Sequence, residues 1–186
     1  MDKEELLNYV LDENNGLSKT REYKDYKIQV YYKPTDLLIL QENGDNTQIA
    51  QKEYTRLQEK YSPYDYFILS LSKEKEEALY KSEGFGQFSE LVQVLSFRMG
   101  QYTNLTTTSQ DTIPVADYVF PRTYGMGGAT NLMFVFSKEK SQDDDWVQFN
   151  LQEFGMGLGR QVFRFDRKGL DKAPKIKFEI IEKQQG

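Results

Sequence analysis

The chain has 186 residues, enough for one domain with a substantial core. Hydrophobic residues make up 38% and aromatics 14%, mostly Tyr and Phe, which suits packed sheet surfaces and not disorder. A net charge of -5 without a dense Lys/Arg cluster argues against a nucleic-acid or anionic-membrane surface, and the lack of Cys and His removes disulfides, thiolate nucleophiles, the usual zinc sites and histidine acid–base chemistry.

In chain order, Leu6, Leu7, Val10 and Leu11 form one apolar stripe, predicting a helix over 3–15 with acidic residues in its first turn and Gly16 as its stop. Tyr26 to Lys33 alternates. Ile28, Val30 and Tyr32 are expected on one face and Lys27, Gln29 and Tyr31 on the other, with Pro34 ending the strand. Leu37 to Leu40 is a second apolar run, closed by the turn signal Glu42-Asn43-Gly44-Asp45. Residues 46–60 are polar, with Ile49, Glu53, Leu57 and Tyr61 at near-helical spacing, so an exposed helix is expected there.

Tyr64 to Ser72 predicts a strand, with Tyr66, Ile68 and Ser70 opposite Phe67, Leu69 and Leu71. Lys73 to Glu77 is expected to be a hairpin or helical turn. Phe88, Leu91, Val92 and Leu95 predict an amphipathic helix over 87–98. Beyond Gly100 the spacing predicts strands over 101–109, 112–120, 131–137, 146–151, 160–166 and 175–182, with a turn at Lys168–Asp171. The longest apolar runs, such as Leu132 to Phe136, are strand-sized and far short of the roughly 18 residues of a membrane span.

Several motifs suggest chemistry, and each has a plainer reading. Phe154-Gly-Met-Gly-Leu-Gly159 resembles a glycine-rich phosphate loop, but such a loop opens a helix, whereas Gln161 to Phe165 reads as strand. Tyr124-Gly-Met-Gly127 echoes the same aromatic-glycine turn. Asp143-Asp144-Asp145 lacks the shaped loop and ligand number of a calcium site and reads as a hairpin tip. Ser70-x-x-Lys73 lies on a strand end and opens no helix. Trp146 and the Tyr-rich strands suggest either a stacking platform or cross-strand packing. No cofactor, metal or catalytic residue is assigned.

Four phrases carry a resemblance: Asn15-Gly16-Leu17, Tyr32 to Glu42, Asp111 to Gly125, and Glu153-Phe-Gly-Met-Gly157. In this order, over about residues 4–182, the chain resembles uncharacterised predicted lipoproteins of Bacteroidetes. Members of that family carry a signal peptide and a lipid-bearing Cys just upstream of the first helix. The resemblance implies a cell-envelope protein, periplasmic or surface-facing, that meets the membrane only through a lipid anchor absent from this chain. It implies no activity.

These readings together predict a β-rich α+β fold: an antiparallel sandwich or curved sheet with two or three peripheral helices. Residues 1–22 are expected to be a helical arm or tether, and 23–186 one globular domain. The expected function is a non-catalytic envelope module that binds another envelope protein or a surface polymer, and no nucleic acid. Two alternatives stand beside it: a carboxylate-dependent hydrolase acting on carbohydrate or peptidoglycan, and a cytoplasmic assembly subunit. The expected contact residues are Arg122, Tyr124 and Met126, in a loop where Pro121 ends a strand and three glycines permit unusual backbone.

Overall fold

The computed structural model describes residues 1–82, 84–123 and 126–182. Its centre is a pair of antiparallel sheets packed face to face. The larger has the order β1 (Ser18–Tyr23), β2 (Tyr26–Tyr32), β4 (Tyr64–Lys73), β9 (Thr130–Ser137), β8 (Asp117–Val119), with β5 (Glu76–Glu77) pairing on β4. The smaller has the order β11 (Gln161–Asp166), β10 (Trp146–Leu151), β6 (Thr103–Thr107), β7 (Thr112–Pro114). A short parallel pair, β3 (Gln48–Ala50) with β12 (Glu179–Ile181), stands apart from both. Five α-helices complete the described chain: α1 (Lys3–Leu11), α2 (Thr35–Glu42), α3 (Gln51–Tyr61), α4 (Gly84–Phe97) and α5 (Arg167–Asp171). The fold is therefore α+β and sandwich-like.

Period-2 alternation builds the core. On β4, Phe67, Leu69 and Leu71 point inward, and their register partners Phe134, Leu132 and Thr130 on β9 share that face. Phe149, Leu151, Phe163 and Phe165 answer from the smaller sheet. Phe67 sits at the junction, with ring centroids 5.2 Å from Phe165, 6.0 Å from Phe149 and 5.7 Å from Tyr32. Tilted and edge-on aromatic contacts of this kind add to the area term. Two-residue turns with left-handed backbone, Lys24-Asp25 and Glu74-Lys75, close the β1–β2 and β4–β5 hairpins in the twist that adjacent strands favour.

Several expectations need correction. The Leu37–Leu40 run, to which the sequence pattern assigned no element, is a helix, α2, whose apolar side chains serve two cores. Leu37 and Leu40 join the main core, and Ile39 joins a small second core with Ile49 and Leu57. A helix that is apolar all round has no stripe for periodicity to detect. The segment 112–120 is two strands in two sheets, β7 and β8. The Lys168–Asp171 segment is one turn of helix within α5, and only 179–181 of the last predicted strand pair, with β3.

The first helix differs from the expected arm. Asp2 and Glu5 cap it reciprocally, and Leu6 and Val10 are wholly buried in the main core. A boundary after residue 22 would cut β1, which pairs with β2 from Ser18 to Tyr23. The helix thus packs on the domain and does not stand off from it.

Candidate functional site

Two of the three sequence-predicted contact residues lie among the described residues. Met126 is 87% exposed. The Arg122 guanidinium lies over the Phe120 ring and donates to the Tyr80 hydroxyl at 3.4 Å. Tyr124 lies outside the described residues. The backbone approaches its neighbours closely at Gly127, where a Cβ would come within 3.1 Å of Thr123 Oγ1 and 3.2 Å of Glu77 Oε1. Glu77 is buried beneath this loop, and its Oε2 has no hydrogen-bond partner among the described residues.

The second aromatic-glycine segment behaves in the opposite way. Met156, the counterpart of Met126, is only 7% exposed. Gly155, Gly157 and Gly159 all adopt positive φ, which aims alternate N–H groups at one point. They donate to the Glu153 carboxylate: Gly155 and Gly157 to Oε1 at 2.8 and 2.9 Å, Gly159 to Oε2 at 2.6 Å. Burial alone would raise the Glu153 pKa, but the backbone donors from Gly157, Gly159, Gly155 and Met156 together outweigh it and hold the carboxyl below its ordinary value. The loop is an anion cradle after all, and the chain's own carboxylate fills it. Sequence reasoning missed this, although a Glu two residues before alternating glycines was visible.

An apolar concave surface lies elsewhere, on the outer face of the six-stranded sheet. Strand residues that alternate away from the core supply its floor: Ile68 on β4, Met133 and Asn131 on β9, and Val119 on β8. Helix α2 supplies one wall through Leu38, Gln41 and Glu42, α3 contributes Tyr61, Lys33 follows β2, and Pro121 closes the β8 side. The volume is 480 Å³. A second depression of 450 Å³ shares Tyr61, Val119 and Met133 with it and continues over Tyr64, Tyr66 and Val135. The two form one groove of the size and mostly apolar character of ligand pockets. The Tyr61 and Tyr66 rings, 5.9 Å apart, seat α3 on the sheet and set the groove's depth.

Polar groups at the groove are distributed unevenly. Glu42 is held by Lys60 at 2.7 Å, by the Tyr61 hydroxyl and by Arg56 at 3.2 Å. Lys60 is the largest influence, Tyr61 the next, and the carboxyl is lowered from 4.5 to about 2. A group so committed is ill suited to general acid work near neutral pH. Lys33 is different. Its ammonium donates to the neutral Gln41 Oε1 at 3.1 Å, and no carboxylate among the described residues lies within ion-pair distance. Burial first, and the Lys3 charge second, lower its pKa.

Other sequence candidates resolve into structure. Arg164 stacks on Trp146 with its guanidinium carbon 3.7 Å from the ring centroid, and also donates to Gln148. On that same outer face of the smaller sheet, Asn150 donates to Asn104 and Thr106 and accepts from Gln148, so the amides satisfy one another. Asp144 accepts from the Ser109 N–H and hydroxyl, tying the acidic hairpin tip to the turn after β6. Ser70 and Lys73, three apart on β4, point to opposite faces. Among the described residues no group of three or more acidic, His or Cys side chains could hold a metal, and no helix is long and apolar enough to cross a membrane.

No family model matches the chain, and no curated protein does. A solved structure of a protein of unknown function from Burkholderia pseudomallei K96243 is similar to it, with a TM-score of 0.42 and 7% identity, covering 92% of this chain and 89% of that one.

Proposed function

We propose that this protein is a non-catalytic binding module of the cell envelope, and that the outer-face groove is where it holds its ligand or partner. One observation carries the reading. The floor of the groove is an apolar sheet surface on which Met133 is half-buried and Val119 exposed next to the buried Ile68, with α2 and α3 walling one side. Apolar side chains on a solvent-side strand face add little to the sandwich, so their presence favours a contact made with something else. Envelope placement rests on the resemblance to the Bacteroidetes lipoproteins. Arg122 directly follows Pro121, which lines the groove, so Arg122 and the exposed Met126 serve in this reading as contacts at its edge.

The test blocks the groove without touching the core. Met133→Arg should leave the melting temperature close to that of the parent and abolish retention of envelope components by the immobilised protein. The paired change Arg122→Ala and Met126→Ala should weaken that retention with stability unchanged. An identical retained set for the parent and Met133→Arg, with both folded, rejects the groove as the binding surface.

A further inference from the structure

We propose that the groove takes an unbranched acyl chain bearing a carboxylate, with the carboxylate on Lys33 and the chain laid across Ile68, Met133 and Val119. This deepens the binding reading above and rests on it. The strand order gives the direction. Lys33 follows β2, Ile68 is on β4, Met133 on β9 and Val119 on β8, which are successive neighbours in the sheet. Three strand spacings, about 14 Å, separate Lys33 from Val119, and the last two of them, about 10 Å from Ile68 to Val119, are an apolar track extended laterally by the adjoining depression. A long, narrow, apolar track suits a flexible chain better than a compact ring system.

The polar end selects the head group. Lys33 is half-buried, and among the described residues its ammonium has only the neutral Gln41 for a partner. A partly desolvated cation without a counter-charge gains from a nearby anion. Every other charge lining that cavity is already balanced, because Glu42 is engaged by Lys60 and Arg56. One uncompensated positive charge matches one negative charge. A phosphate monoester, at about -1.5 to -2 near neutral pH, would exceed that single positive charge. The chemistry therefore points to a monocarboxylate, with a fatty acid as the simplest example.

Calorimetric titration of the full chain, freed of lipid, decides this with three probes: dodecanoate, dodecanol and dodecyl phosphate. Dodecanoate should bind about tenfold tighter than dodecanol, the worth of one charge-assisted hydrogen bond. Lys33→Gln should remove that advantage and leave dodecanol binding unchanged, while Lys33→Arg should keep most of it. Met133→Trp, which fills the track, should abolish binding of both. Equal affinity for dodecanoate and dodecanol, tighter binding of dodecyl phosphate, or indifference of dodecanoate to Lys33→Gln overturns the proposal. If no acyl probe binds but Met133→Arg still loses the envelope component, the acyl proposal fails and the binding reading stands. If groove substitutions change neither, both fall.

Discussion

The two faces of the six-stranded sheet use the same strands for opposite ends. Inward, Phe67, Leu69 and Leu71 on β4 and Leu132, Phe134 and Phe136 on β9 are wholly buried against the second sheet. Outward, the interleaved Met133 and Val135 are only half-buried, and Val119 is exposed. A sandwich needs only its inner face to be apolar. Helices α2 and α3 account for part of the outer apolar surface, since Tyr61 packs on Tyr66 and Leu38 lines the groove beside Ile68. The remainder has no structural duty. Inner residues are therefore under constraint from packing, and outer ones are free to answer to a ligand.

The comparison breaks if inner and outer substitutions cost the same. The largest effect is expected for Phe67→Ala, which should cost about 3–5 kcal/mol in urea unfolding, since four aromatic rings meet at that site. A loss below about 1 kcal/mol would remove Phe67 from the centre of the core. Asp65, next along the inner face, is wholly buried and grips Arg167 through two bonds of 2.7 and 3.1 Å. Asp65→Ala should cost about 1–3 kcal/mol, because the buried guanidinium loses two hydrogen bonds but keeps Asp171 as a partner at 2.8 Å. Replacing Asp65 and Arg167 together with apolar residues should recover most of it, and failure to do so would assign the loss to something other than the broken ion pair.

The outer face should respond weakly. Met133→Ala is expected to lower stability by less than about 1 kcal/mol, as for a surface position, while impairing binding. A core-sized loss would show that the groove floor is structural. The smallest effect concerns acid. The Glu42 carboxyl falls from 4.5 to about 2 on folding, so its contribution is complete above pH 4.5 and disappears as the pH drops toward 2. Glu42 is partly open to solvent, which keeps that contribution small. Glu42→Gln should flatten the corresponding part of the stability–pH curve, measured by thermal melts, and an unchanged slope would detach Glu42 from it.

Much of the inner face was legible, and little of the outer one. Ile28, Val30 and Tyr32 on β2, and Phe67, Leu69 and Leu71 on β4, announce themselves by alternation because one face meets the core and the other does not. Leu37 to Leu40 hid a helix because four consecutive apolar residues carry no period. The β3–β12 pair joins Ile49 to Ile180, a contact between distant segments that no local pattern encodes. The groove draws residues from three strands, two helices and the segment after β2, so its composition exists only once the sheet order is known. Arg122 and Met126 were visible as a loop, but the concavity beside them was not.

The Glu153 cradle carries one further consequence. Three glycine N–H groups already share a carboxylate that sits two residues from the first of them and six from the last. A free phosphate or sulfate would have to compete with a tethered rival, whose local concentration for a short linker is in the millimolar range or above. The segment is thus a receptor sold together with its own inhibitor. A loop that would sample many shapes if empty is instead latched in one, and a free anion must displace the tethered carboxylate to reach the same N–H groups.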